Sequence, residues 1–242
     1  MQQFVIFCCV ILSLHIGLGA NAQQIPRPKS MTFSYVNHPV ILEQLIPVIR
    51  EAYASIGIST QFVEQPSDRN LRAIEKGLVD GDVVFSKLLL ANHPGLLVIE
   101  PALVTSIFIL VCQPQIPCEK SVISDNQTLI ASTNASHNGL ESWYQDELQA
   151  QFYYINNLAI IPQLIKEKRF DYGIYILTPE LIEKAGAVDF RYYELFRTSS
   201  YHILHPKYAF LKTEIEQAIR GVLTNASSTI DAANPVHANR TN

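Results

Sequence analysis

Charge is scarce in this sequence and nowhere concentrated. Charged residues make up 17% of 242 residues, with 18 Lys and Arg against 22 Asp and Glu. A nucleic-acid partner needs a basic face that neutralises phosphates, and a net charge of -4 with singly scattered cations gives it none. The densest group, Lys166, Lys168 and Arg169, falls at the end of a predicted helix, where cations complement the C-terminal dipole. Chemistry-bearing motifs are missing too. There is no Gly-x-Ser-x-Gly elbow, no His-Glu-x-x-His pair, no phosphate-binding glycine loop and no dinucleotide fingerprint. No cofactor is implied. His202 and His205 lie three apart with Pro206 following, a pattern read as turn residues and not as a metal pair.

Apolar residues are plentiful by contrast. At 48% hydrophobic content the chain can bury a substantial core, in one large domain or two lobes of about 100 residues each. Phe4 to Ala20 is a nearly continuous apolar stretch, and Ala20-Asn21-Ala22 offers small residues where a signal peptidase reads them. The run is short for a membrane span, so residues 1–22 are expected to be a cleaved signal peptide, with secretion into a periplasm. Of four cysteines, two lie inside that stretch. The other two, Cys112 and Cys118, bracket Pro114 and Pro117 and are expected to form a disulfide that staples a turn.

The chain beyond residue 29 repeats one grammar. Met31–Val36 reads as a strand, Pro39–Ser55 as an amphipathic helix, Ser59–Glu64 as a strand, Ser67–Gly77 as a helix and Val79–Phe85 as a strand. Such alternation predicts a mostly parallel sheet flanked by helices. Leu96–Glu100 and the wholly apolar Ser106–Cys112 are further strands, the second a buried central one. The grammar then restarts: strands at Thr128–Ser132, Gln151–Ile155, Tyr172–Leu177, Phe190–Phe196 and Tyr201–Leu204. Helices are predicted at Leu140–Gln149, Leu158–Arg169, Pro179–Gly186 and Leu211 to about Leu223. Two successive α/β units predict two lobes: residues 23–106 with 195–224, and residues 107–194. Residues 225–242, rich in Ala, Asn, Ser and Thr, read as a disordered tail.

Three features resemble the type 2 periplasmic substrate-binding proteins, in the branch (solute-binding protein family 3) that binds polar amino acids for ABC importers. Pro66-Ser67-Asp68-Arg69-Asn70-Leu71 through Glu75-Lys76-Gly77-Leu78-Val79-Asp80-Gly81-Asp82 looks like that family's helix and strand around "G-x-x-D". Leu164 to Tyr175 is similar to the matching segment of the second lobe. The order of elements over residues 29–223 agrees as well. The resemblance implies a two-lobed α/β protein, monomeric, with a ligand held between strand C-termini and helix N-termini. One departure bears on the ligand. Where the family carries a Thr-x-x-Arg-type clamp for an α-carboxylate, this chain has Ser86-Lys87-Leu88-Leu89-Leu90-Ala91-Asn92-His93, without Arg.

Candidates for the cleft fall at predicted element ends. Tyr35 and Asn37 close the first strand, offering an aromatic face and an amide, although Asn37 would equally cap the next helix. Arg69 opens the second helix and is the cation best suited to an anionic group; pairing with Asp68 or Glu64 is the alternative. Asp82 and Ser86 flank the third strand. Ser136, His137 and Asn138 precede the helix expected from near Gly139, as caps or anion-facing N–H groups. Tyr154, Asn156 and Tyr175 lie at second-lobe strand ends. The expected function is hinge closure on a small polar or anionic solute, for delivery to an inner-membrane permease or for signalling to a sensor kinase. The alternative is a cyclohexadienyl-type dehydratase on the same fold, which would recruit Glu64 or Asp82 as acid and Arg69 for a carboxylate.

Overall fold

The computed structural model describes residues 26–90, 93–179, 181–182 and 190–233. The expected signal peptide and most of the helix predicted over residues 179–186 lie outside these residues. Among the described helices none is long and apolar enough to cross a membrane.

Strands and helices alternate as the sequence pattern predicts, with shifted ends. The order is β1 (Ser30–Tyr35), α1 (Ile46–Ser55), β2 (Ser59–Glu64), α2 (Ser67–Glu75), β3 (Gly81–Ser86), α3 (Lys87–Leu90), β4 (Leu97–Cys112), β5 (Leu129–Ser132), α4 (Asn134–Tyr144), β6 (Gln151–Tyr154), α5 (Ile161–Lys166), β7 (Tyr172–Leu177), β8 (Arg191–Leu204) and α6 (Lys212–Ala233). A π-helical turn, Ile41–Leu45, leads into α1. The helical run into α1 starts at Pro39 as predicted, with the π-turn preceding Pro47, and a 3₁₀ turn at Leu158–Ile160 likewise runs into α5 at the predicted start.

Three expectations are corrected. β4 is one 16-residue strand where the sequence reads as two, and β8 likewise runs unbroken through the polar Arg197–Ser200. Pro101 interrupts the apolar pattern of β4, but the register slips between Ile99 and Val104 and the ladder to β8 resumes. Second, α4 begins at Asn134, six residues before the predicted Leu140, because Thr133 is its cap: the Thr133 side chain accepts from the Ser136 N–H at 3.1 Å. Third, α6 runs to Ala233, ten residues past the predicted end and into the stretch expected to be disordered.

All eight strands form one mixed sheet in the order β2-β1-β3-β8-β4-β7-β5-β6. Each end is a parallel trio: β1 lies between β2 and β3, and β5 between β6 and β7. The long antiparallel strands β4 and β8 pass between the two trios and belong to both. Four apolar clusters cover the faces. At the first trio, α1 and α6 bury Ile49, Tyr53, Ile215 and Ile219 against Phe33 and Val83. On its other face Leu71, Ile74 and Leu90 pack on Phe85 and Ile203. At the second trio Leu140 covers Phe108, Leu110 and Ile130, and Ile161 and Ile165 cover Ile107, Ile109 and Val111. This is a two-lobed α/β protein, and α6 packs on α1 beside the first trio. Cys112 and Cys118 are joined in a disulfide at the far end of β4.

Candidate functional site

Parallel strands place their C-terminal ends on one side, and here the ends of both trios face each other. The chain leaving β1 contributes Val36, His38 and Val40, and the end of β3 contributes Val84, Phe85 and Ser86. From the second lobe come Thr133, Ala135 and Ser136 at the start of α4, with Ile176 and Thr178 at the end of β7. The crossing strands supply the floor, with Val104, Ser106 and Phe108 from β4 and Ser200 from β8. Together with Ile41, Leu45, Leu89 and Leu158 these enclose a cleft of about 110 Å³ between the lobes.

Local packing explains how close the two lobes come. An added Cβ at Gly139 would lie 3.2 Å from the Phe108 ring, so glycine lets α4 settle directly onto the floor strand. Leu88 of α3 packs into the second-lobe cluster around Phe108. His38, after β1, donates from Nε2 to the Ile176 carbonyl of the opposite lobe at 3.0 Å, with its ring centroid 5.5 Å from that of Tyr175. Burial lowers the His38 pKa, although the Ile176 carbonyl pulls it up, so the ring is neutral at pH 7.

No Asp, Glu, Lys or Arg belongs to the described lining residues. The polar groups are hydroxyls plus His38. Ser106 and Ser200 share a hydrogen bond at 2.8 Å across the floor. The Ser136 hydroxyl accepts from the Thr133 hydroxyl at 2.9 Å, and Thr178 accepts from the Leu181 N–H at 3.3 Å. The Ser86 hydroxyl oxygen is buried and has no hydrogen-bond partner among the described residues.

Of the residues picked from sequence, Ser86 and Ser136 line this cleft. Tyr35 packs on the first-lobe core, and Asn37 donates to Glu64 at 3.3 Å. Arg69 is exposed on α2 and does not line the cleft. Asp82 is buried within the first lobe, where its carboxyl accepts from Ser34 (2.7 Å), Asn70 (2.6 Å) and the Val84 N–H (3.0 Å). Burial pushes its pKa up to about 7 against those three donors, which favour the ionised form. Ser136, His137 and Asn138 lie inside the first turns of α4 and do not precede it. His137 packs on Phe152 and accepts or donates at Nδ1 with the half-exposed Tyr154 hydroxyl. Tyr175 is buried against His38, behind the lining.

His202 is not a turn residue. It sits fully buried in β8, its Nδ1 against the Val83 carbonyl (3.3 Å) and its Nε2 against the Tyr53 hydroxyl (2.9 Å). A carbonyl only accepts, so Nδ1 carries the proton and Nε2 takes that of Tyr53. Burial lowers its pKa to about 4. Sequence reasoning missed Ser106, Ser200, Thr133, Thr178 and His38. A small polar residue amid a buried apolar strand, as at Ser106 and Ser200, is the signal that could have found two of them.

No protein-family profile and no curated protein matches the chain. Solved structures do. The substrate-binding protein of an amino acid ABC transporter superposes with a TM-score of 0.66 at 10% identity, over 84% of this chain and 98% of that one. The GluR0 ligand-binding core from Nostoc punctiforme in complex with L-glutamate gives 0.63 at 15% identity, over 84% and 98%. The ancestral amino acid-binding protein AncCDT-1, a precursor of cyclohexadienyl dehydratase, gives 0.64 at 10%, over 82% and 91%. At these identities the likeness establishes the fold, the two-lobed arrangement of type 2 periplasmic binding proteins.

Proposed function

We propose that this chain, with its two-lobed type 2 periplasmic-binding-protein-like fold, is a periplasmic solute-binding protein that closes by hinge motion on one small molecule. The observation that carries this reading is the make-up of the cleft. Its walls come from strand ends of both lobes, so a ligand there touches both at once and favours the closed state over any open one. Residues 23–106 with 195–224 would move as one body and 107–194 as the other, flexing where β4 and β8 cross. The bound solute would then be handed to an inner-membrane permease or reported to a sensor kinase, by a monomer.

Binding is favoured over dehydration by the same wall. A dehydratase needs a proton donor and a carboxylate anchor at the substrate, and the nominated Glu64, Asp82 and Arg69 all lie outside the described lining. The experiment is a thermal-unfolding screen of the chain from Gln23 onward with amino acids, organic acids and polyamines. A solute present at about 100 times its Kd stabilises by about 2.7 kcal/mol, which for a protein of this size raises the midpoint by roughly 5–10 °C. No shift with any solute of the screen would contradict the reading.

A further inference from the structure

Resting on the solute-binding reading, the cleft's chemistry narrows the solute. We propose that its ligand is a small aliphatic monocarboxylate that carries no ammonium group.

Size and wall set the first condition. A dry cavity of roughly 150 Å³ accepts benzene, so about 110 Å³ suits a smaller body of about four carbons. That body meets Val36, Val84, Leu89, Val104, Phe108 and Ile176, a surface that gains by covering hydrocarbon.

The hydroxyls set the second condition, because their remaining protons make them donors. Ser136 and Thr178 already accept within the protein and keep a proton to give. The Ser106–Ser200 pair uses one of its two protons internally and retains the other. Ser86, 9% exposed with its oxygen buried, has no internal partner at all. A buried hydroxyl left unpaired costs free energy that a ligand acceptor recovers. Beside these stands the start of α4, where Thr133 caps the Ser136 N–H and the N–H groups of Asn134 and Ala135 lack intrahelical acceptors and carry partial positive charge. Ser86 from the first lobe and the α4 start from the second line the same cleft, and a carboxylate matches both.

The third condition is an absence from the described wall: no carboxylate lines it. An ammonium group brought there would lose its hydration without gaining a counter-charge, which is among the costlier burials available. The usual α-amino acid therefore fits half of the site, its carboxylate, and is penalised at the other half.

The test is calorimetric titration of the chain from Gln23 with three molecules of one carbon skeleton: 3-methylbutanoate, valine and 3-methylbutan-1-ol. The expected result is that 3-methylbutanoate binds at least about tenfold more tightly than either of the others, and that Ser86→Ala, with an unchanged unfolding midpoint in the absence of ligand, weakens it by about tenfold. Valine binding as tightly as 3-methylbutanoate, or more tightly, overturns the proposal and leaves the solute-binding reading standing. So does silence from all three when another member of the thermal screen binds. Silence from the whole screen overturns both. Affinity for 3-methylbutanoate undiminished in Ser86→Ala removes the donor argument and with it the proposal.

Discussion

Relative to the unmodified protein, Asp82→Asn gains about 3 kcal/mol of stability as pH is raised from 4 to 7, and His202→Gln loses about 3 kcal/mol over nearly the same interval. Both follow from linkage at about 1.4 kcal/mol per pH unit. The Asp82 carboxyl has its folded pKa raised to about 7 from 3.8. Its contribution is fully present below pH 4 and is lost as pH rises, because the unfolded chain ionises first and the folded one must follow inside the core. Removing the group removes that loss. His202 is the mirror case, its folded pKa lowered to about 4 from 6.5. Its contribution is present above pH 6.5 and is lost as pH falls, since the unfolded chain takes up a proton that the buried ring refuses. Each substitution also breaks hydrogen bonds, at Ser34, Asn70 and Val84 or at Tyr53 and Val83. That cost is a constant offset, so the measurement is the pH dependence of the difference, from urea unfolding between pH 4 and 7.5. Parallel profiles for variant and unmodified protein would contradict the assignment.

Ala135→Phe abolishes solute binding while leaving the lobes folded. Ala135 lines the cleft at the second position of α4 and makes no side-chain hydrogen bond whose loss would complicate the result. A ring there takes the place of a ligand in a space of about 110 Å³. Affinity for any solute found by thermal screening is expected to fall at least about 100-fold, equivalent to about 2.7 kcal/mol, with stability changed by less than about 2 kcal/mol. Titration calorimetry and urea unfolding read the two quantities. Retained affinity in a folded variant would place the solute elsewhere.

The fold was largely legible because its signals are local and repeated. Apolar spacing at Ile46, Ile49 and Tyr53 and again at Ile215 and Ile219 marks helix faces that do meet in one cluster. The pair Cys112 and Cys118 around two prolines marks the disulfide. What sequence pattern does not hold is the sheet order, which depends on pairings such as Val104 with Ser200 between residues almost a hundred positions apart. The cleft was harder for the same reason. Searching strand and helix ends picked out Ser86 and Ser136, which line the cleft. Residue chemistry misled the choice among them: Arg69 and Asp82 attract attention as charged groups, yet one stays exposed on α2 and the other is folded into a hydrogen-bonded knot beneath β1. The cleft is instead made of hydroxyls that look unremarkable in sequence, and of His38, whose partner carbonyl lies across the interlobe gap.

Amide hydrogen exchange tests the account of a ligand clasped by both lobes most directly, with 3-methylbutanoate or, if it is the tighter binder, valine as the probe. Slowed exchange is predicted in two places together, at Val84–Ser86 of the first lobe and at Thr133–Ser136 of the second. Protection confined to one of these segments, or appearing only at a surface remote from both, would contradict it.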